Sequence, residues 1–555
     1  MPDDLCSKCR EPVFKSSSII PTADDEARLV ALLRSNLPPV DPLQVAKSWL
    51  QQSRAEMDRY DTEIARVQAA LQKLLDERQS VAAQVQRYHG VYFSPIRRLP
   101  PELLVKIMHE TLLERDEDDD PSMETETERL AHKPLLVLSE VCYTWHKTAF
   151  STPQLWSNLR VDLALWTDAN RQKNLHLVER SLARSGQFPL SIQLNSGLWE
   201  DDRLLVQLLL MHVSRWRSLE AELKPSTLRL IMASGLAALE TIQLTLRHDH
   251  QFSTWERVSA MRLRSASFAS FRPLELPPLP WPQLESFSYN APELFTPANL
   301  LALPWQEIQL GASFSLTIRW LAGGWNQPLP EIDSRIGQLT LTTAAQLDSS
   351  VPGAGRHLLR AALQSFTMLH LHTLHLLGPE NFPRPELAPT PFYAFTKRCN
   401  LATSLTTLAL DVIISEPTLL LVLTGLPALE ELSLCDPPTE SSVQYRPYVA
   451  VIQDSLFRAL HCRRGQNAQV SASTIIPRLR RLSLKTIGAF TDAALLVFLG
   501  SRIVSGFVLH VHRVGVPLND ALGTEFWVTV DGWIEDGILK LTYNESCPRE
   551  YEDSV

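Results

Sequence analysis

Cysteine, histidine and carboxylate side chains are the usual raw material of a reactive site, and this 555-residue chain holds them in a few suggestive spacings. Cys6-Ser7-Lys8-Cys9 has the spacing of half a zinc site, but a closed structural zinc needs four ligands and no second pair stands near it in the sequence. His370-x-His372-x-x-His375 and His510-x-His512 read as imidazoles on one strand face, without cysteine or carboxylate partners at ligand spacing. Gly353-x-Gly355 lacks the third glycine and the lysine and hydroxyl of a phosphate cradle. No Gly-x-Ser-x-Gly elbow occurs. Glu430-Glu431 falls at a repeat edge, where solvated charge is expected rather than acid-base work. These features predict no catalytic residue, no metal and no cofactor. An enzyme would have to assemble a polar pocket from distant positions.

The chain is 45% hydrophobic and 21% charged, enough apolar material for cores in roughly two to four domains. Seven cysteines (Cys6, Cys9, Cys142, Cys399, Cys435, Cys462, Cys547) are odd in number and scattered, which suits reduced thiols better than a disulfide framework. The start, Met-Pro-Asp-Asp, reads as free of a signal segment, and the longest apolar runs, such as Leu419 to Leu423, fall short of the roughly 20 residues of a membrane helix. A cytoplasmic or nuclear protein without a membrane partner is expected. Residues 114–128 carry nine acidic residues against Arg115 alone, a segment charge of −8 that leaves −1 for the rest of a chain of net charge −9. A nearly neutral body with no basic face argues against nucleic acid, because phosphate binding requires clustered Lys and Arg. The acidic run itself reads as a solvated, disordered loop.

Several elements must position whatever the chain binds. Residues 1–40 are polar, without a sustained period, and read as a flexible tail. Asp41-Pro42 then reads as a helix start, with proline at the first helical position where its missing N–H costs nothing. From there a heptad pattern runs to about residue 90. One seam holds Leu50, Met57, Ile64, Leu71, Arg78 and Val85; the other holds Ser53, Tyr60, Val67, Leu74, Val81 and Tyr88. This stripe needs a cover, either a second copy of the chain or another part of its own fold. Gly90 is the expected stop.

After it, Pro100-Pro101 opens a short helix with an apolar stripe of Leu103, Leu104, Ile107, Met108 and Leu112. Beyond the acidic run, Leu135 to Phe150 reads as a second amphipathic helix, closed by Ser151-Thr152-Pro153-Gln154-Leu155-Trp156. Leu99-Pro100-Pro101-Glu102-Leu103-Leu104 with Ile107, then Val141-Cys142 with Trp145, then Pro153-x-Leu155-Trp156, resembles the F-box over residues 94–156. With the CxxC, the heptad helix and the acidic insertion, the order is similar to F-box proteins abundant in mushroom-forming fungi. The resemblance implies docking on the Skp-type adaptor of a cullin-based ubiquitin ligase. It carries over to Leu99, Pro100, Leu103, Leu104, Ile107, Val141, Cys142, Trp145, Leu155 and Trp156, which would form or support an apolar helix-in-groove contact. The acidic insertion, about 114–133, departs from the usual F-box; the two readings are that it lowers affinity for the adaptor or that it loops out of the contact.

Farther on, Leu-x-x-Leu-x-Leu or a near relative recurs at Leu239, Trp305, Ile336, Leu371, Leu405, Leu429 and Leu479, with a degenerate copy at Leu284 to Phe287. Helix-compatible stretches lie between, at 204–219, 358–363 and 492–499. Strand and helix alternating at 20 to 50 residues fits a right-handed solenoid whose leucines pack only against neighbouring repeats. Variable positions would line its concave sheet: Gln243, Gln309, His372, His375, Thr407, Ala409, Glu431, Ser433, Arg481 and Ser483 are the candidates for holding a protein substrate. Taken singly, each is as readily plain solvent-exposed sheet.

The fold class expected is α/β. It comprises a tail (1–40), a long coiled-coil-like heptad helix (41–90), an all-α F-box (94–160), an irregular leucine-rich-repeat solenoid (161–545) and an acidic C-terminal tail (546–555). The function expected is that of a non-enzymatic substrate adaptor of an SCF-type ligase, whose partners are the Skp-type adaptor, through it a cullin, a protein substrate and, through 41–90, a second copy. The alternative is an interaction scaffold that never joins a ligase.

Overall fold

The computed structural model describes residues 22–35, 42–93, 95–113, 133–195, 203–246, 260–270, 276–291, 295–322, 325, 327–343, 354–378, 384–436, 450–462, 474–502, 506–513 and 522–543. Cys6, Cys9 and Cys547, the acidic run and the C-terminal tail lie outside them. The chain divides into two compact units, Met1–Leu103 and Leu104–Val555.

The first unit holds helix α1 (Ala23–Ser35), within the stretch read as a tail, and the 51-residue helix α2 (Pro42–Tyr92). Three Asp/Glu residues in the first turn of α1 complement its dipole. Helix α2 starts at the proline the sequence indicates. Its Ala, Gln, Glu and Arg content favours helix, and ion pairs such as Arg66 Nη2 to Glu63 at 2.6 Å span single turns. Gly90 does not end it: the helix continues to Tyr92, because glycine permits a stop without imposing one. Pro95, which disfavours helix at the residue before it and opens the 3-10 turn Pro95–Arg98, is the effective terminator. Both heptad seams of α2 are exposed; Leu71 and Leu74 retain 55% and 63% of their surface.

Helix α3 (Pro101–Leu113) carries the chain into the second unit. The expected single helix over 135–150 is two, α4 (Lys133–Ser139) and α5 (Tyr143–Ser151). The break is local: Ser139 Oγ donates to the Leu136 carbonyl at 2.6 Å, and Glu140 and Val141 N–H groups reach back to Val137 and Leu138 in a tightened turn. Cys142 takes extended backbone as the N-cap of α5.

A 14-stranded, wholly parallel sheet follows, with neighbours in sequence order. Its strands are β1 (Asn158–Asp162), β2 (Leu190–Asn195), β3 (Trp216–Leu223), β4 (Thr241–Leu246), β5 (Ser265–Ala269), β6 (Ser286–Asn290), β7 (Ser313–Ile318), β9 (Gln338–Thr343), β11 (Thr373–Leu377), β12 (Thr407–Leu410), β13 (Glu431–Cys435), β14 (Arg481–Thr486), β15 (Phe507–Arg513) and β16 (Leu539–Tyr543). A two-stranded pair, β8 (Ile332–Asp333) and β10 (Phe366–Thr367), lies beside it. Alternation along each strand buries one face: Ile242 and Leu244, Leu374 and Leu376, Leu482 and Leu484 belong to one continuous core. Crossovers carry helices, among them Asp168–Arg184, Pro225–Ala233, Pro389–Arg398, Glu416–Thr424 and Asp492–Arg502. Such a series of parallel strands and crossovers is solenoid-like.

Six of the seven leucine signatures end in strands. Trp305-x-x-Ile308-x-Leu310 does not: it forms turns before β7, Trp305 and Ile308 point into the core, and Leu310 is exposed. The stretch 204–219 also differs from a single helix, giving helix Arg203–Leu210 and then β3. In β5, β6 and β7 aromatic residues take the leucine positions. Trp305 stacks on Phe314 at 4.1 Å and Trp281 meets Phe287 edge-on at 5.1 Å, so indole rings fill the layer that longer helices cover elsewhere.

Candidate protein-docking surfaces

The ten F-box positions separate by depth. Leu104, Trp145, Leu155 and Trp156 are buried, alongside Met108, Leu135 and Ala149, so they support the short helices from inside. Trp156 sits in the 3-10 turn Pro153–Trp156, where its indole N–H donates to the Ala149 carbonyl at 2.8 Å. Its ring lies 5.4 Å from Phe150. The Arg184 guanidinium, from the helix Asp168–Arg184, covers both rings at 4.3 and 4.4 Å. The tryptophan that ends the motif thus ties α5 to the first crossover of the sheet.

Ile107 and Val141, by contrast, are exposed, and Cys142 is half-buried. Pro100 and Leu103 are exposed and Leu99 half-buried in the first unit. Sequence reasoning missed three further exposed apolar residues of this region: Leu136 and Val137 on α4, and Tyr143, which keeps 79% of its surface at the start of α5. Their signal was an apolar run, Leu135 to Leu138, too long for one buried stripe on a seven-residue helix. Short helices whose inward side chains are already buried, yet which carry this much outward apolar surface, suit a partner that brings a groove.

The second surface is the open face of the sheet. Register places Gln243, His375, Ala409, Ser433 and Ser483 in one row across the strands, and Thr407, Glu431 and Arg481 in the next. His372 stands just before β11 rather than on it, with its ring nitrogen 3.2 Å from the Thr373 hydroxyl. Gln309 is not on the sheet at all. It belongs to the turn before β7 and lines an open hollow of about 580 Å³ with Glu240, Arg264 and Glu285.

The rows are chemically graded. Glu220 accepts from Gln193 at 2.7 Å and Gln243 at 3.5 Å near one end. The middle is hydroxyl: Ser265, Ser267, Ser286, Ser288, Ser313 and Ser315, with Ser286 Oγ donating to Ser265 at 2.7 Å. The far end is basic, with Lys485, His510, His512 and Lys540 beside an Arg481–Glu431 ion pair at 2.6 Å. The serines were legible as Ser-Phe-Ser-Tyr and Ser-Phe-Ser-Leu, a period of two with phenylalanine where leucine was sought.

His375 faces Thr340 at 3.3 Å, and burial holds its pKa below the ordinary histidine value against the opposing pull of Glu431. His370 lies in a turn and not with His375 on a strand, whereas His510 and His512 do share a face of β15. Among the described residues no group of three or more His, Cys, Asp or Glu could hold a metal ion. Burial, reinforced by Asp411, pushes the Cys435 thiol up to about 12. Among the described residues no helix is long and apolar enough to cross a membrane.

The sequence matches the F-box-like family over residues 96–162, a span running from the turn before α3 to the end of β1. The chain carries an F-box-like domain. Its match takes in the buried Trp145 and Trp156, the exposed Ile107 and Val141, and the first strand of the sheet, so the F-box-like domain and the sheet share an element. F-box proteins are in general adaptors rather than enzymes. No curated protein matches the chain.

Proposed function

We propose that the chain is a substrate-recognition adaptor of an SCF-type ubiquitin ligase, its F-box-like domain docking a Skp-type adaptor that in turn holds a cullin. The observation that carries this reading is the outward apolar surface of the F-box-like domain, Ile107, Val137, Val141 and Tyr143, on helices whose inward residues are already buried. Leu103, one turn before Ile107 on α3, extends the same chemistry. The solenoid-like sheet is read as a degenerate leucine-rich-repeat array, because Leu-x-x-Leu-x-Leu recurs at six of its strands. Its open face, with hydroxyls between an amide- and glutamate-bearing end and a basic end, holds the protein substrate by hydrogen bonds and charge rather than by apolar anchors.

The test is capture of a purified Skp-type adaptor by the full chain. Ile107→Asp combined with Val141→Asp places two charges on the contact and weakens capture by about 30-fold or more, with the thermal transition of the sheet unmoved. Undiminished capture by that variant sinks the assignment of the contact. Failure of the unaltered chain to bind any Skp-type adaptor favours a scaffold outside the ligase.

A further inference from the structure

Strand β16 pairs with β15 on one side and is the last strand of the sheet. Phe507 donates its N–H to the Ile538 carbonyl at 3.1 Å, and backbone groups alternate sides along a strand. Lys540 and Thr542 therefore bond to β15, while the N–H and C=O groups of Leu539, Leu541 and Tyr543 point away from it. Among the described residues no backbone group bonds to those outward groups. A bare edge of this kind is a template for one more strand.

The core is also incomplete here. Leu541 and Tyr543 are half-buried, as are Trp527 and Trp533 of the helix Thr524–Glu535, whereas the residues in register with them on β14 and β15, Leu482, Leu484, Leu509 and Val511, are buried. Tyr543 lies 5.0 Å from the Trp527 ring, and the Trp527 indole N–H is shielded from solvent with no hydrogen-bond partner among the described residues. Val528, next to Trp527 in sequence, keeps 71% of its surface. A strand added at this edge needs apolar side chains on its core side.

Charge sets its other side. Lys540 lies on the open face with Lys485, His510 and His512, while the helix Thr524–Glu535 exposes Glu525, Asp531 and Glu535 and contains no Lys or Arg. A second copy joined edge to edge would set basic face beside basic face and acidic helix beside acidic helix, unfavourable on both sides of the sheet. The chain's own Arg549 to Val555 match the edge poorly in sequence. Whichever alternate set faced the core, Arg549 and Asp553 or Glu550 and Glu552 would enter the apolar row. A strand with uninterrupted apolar residues on one side and carboxylates on the other meets both requirements.

We infer that the β16 edge takes, by strand addition, an extended segment of a partner protein in which apolar residues alternate with Asp or Glu. The carboxylates face Lys540 and its basic neighbours, and backbone hydrogen bonds to Leu539, Leu541 and Tyr543 supply affinity that does not depend on side-chain identity. The inference holds whether or not the chain joins a ligase, and its test uses no Skp-type adaptor.

That test is fluorescence anisotropy of the full chain with a labelled peptide of about seven residues alternating valine and glutamate. It binds roughly tenfold more tightly than a peptide alternating valine and lysine, and Lys540→Glu, at an exposed position, removes that preference. Two further peptides, methylated on the amide nitrogens of the valines alone or of the glutamates alone, locate the hydrogen bonds. An edge is met from one side, so one methylated set weakens binding roughly tenfold and the other leaves it unchanged. Equal binding of the valine and lysine peptide, or equal effects of the two methylated sets, overturns the inference. So does roughly tenfold tighter binding by a chain ending at Tyr543, which would make residues 544–555 the occupant. Release of a dimer into monomers by the peptide, read by sedimentation, would overturn it in favour of a second copy.

Discussion

Trp156 and Ile107 belong to one F-box-like motif yet act at opposite depths. The first donates its indole N–H to Ala149 and lies under Arg184; the second faces outward. Depth, not residue type, separates support from contact, so a motif read as a set of letters overstates the contact. The same distinction governs the histidines. His375 and His212 are each held below the ordinary histidine value, first by burial; His212 is pushed further by Arg215, while Glu431 partly opposes the effect at His375. The folded chain therefore resists a proton that the unfolded chain accepts below about 6.5. Stability from these residues is complete above that value and falls as pH drops through it. Melting temperature should decline between about pH 7.5 and 5.5, and His375→Gln should flatten part of that decline. An identical slope in the variant would assign the decline to other groups.

At the scale of elements, local chemistry repeatedly decides where a pattern starts and stops. Pro42 starts α2 and Pro95 ends it, while Gly90 passes through as ordinary helix. Ser139 splits an apolar run that by periodicity alone should be one helix. Strand entry is set by close passage of successive turns. A Cβ at Gly337 would come within 2.8 Å of the Gly311 carbonyl oxygen and of His372 Nε2, so this turn can pass its neighbours only without a side chain. Gly337→Ala should destabilise the protein by about 1–3 kcal/mol, read in urea unfolding. A midpoint within error of the unaltered chain would show that the turn has slack.

Over the whole molecule, the sheet is a linear stack in which each strand pairs only with the one before and the one after. Damage should therefore stay local. Phe314 of β7 is fully buried, stacked on Trp305 and edge-on to Phe287 at 5.2 Å. Phe314→Ala should cost about 3–5 kcal/mol. Hydrogen exchange should show the loss of protection concentrated in β6, β7 and β9, with β1 and β15 near their original values. Uniform loss from β1 to β16 would mean that the stack unfolds as one cooperative body.

The heptad helix, the F-box-like segment and the leucine-bearing strands were legible in the amino-acid order, because each is a local pattern whose spacing follows from the period of a single element. Leu408 and Leu410, for example, can only be the buried side of a strand that starts near Thr407. Depth and register, by contrast, come from packing and long-range pairing. Nothing in the spacing of Trp305, Ile308 and Leu310 distinguishes them from the true strand signatures; only packing of Trp305 on Phe314 makes that stretch a turn. Nor does any local pattern align Gln243 with Ser288, Thr340 and Ser483 in one row, since that alignment is made by backbone hydrogen bonds between segments far apart in the chain. Periodicity encodes which face of an element is apolar, and long-range pairing determines what that face meets.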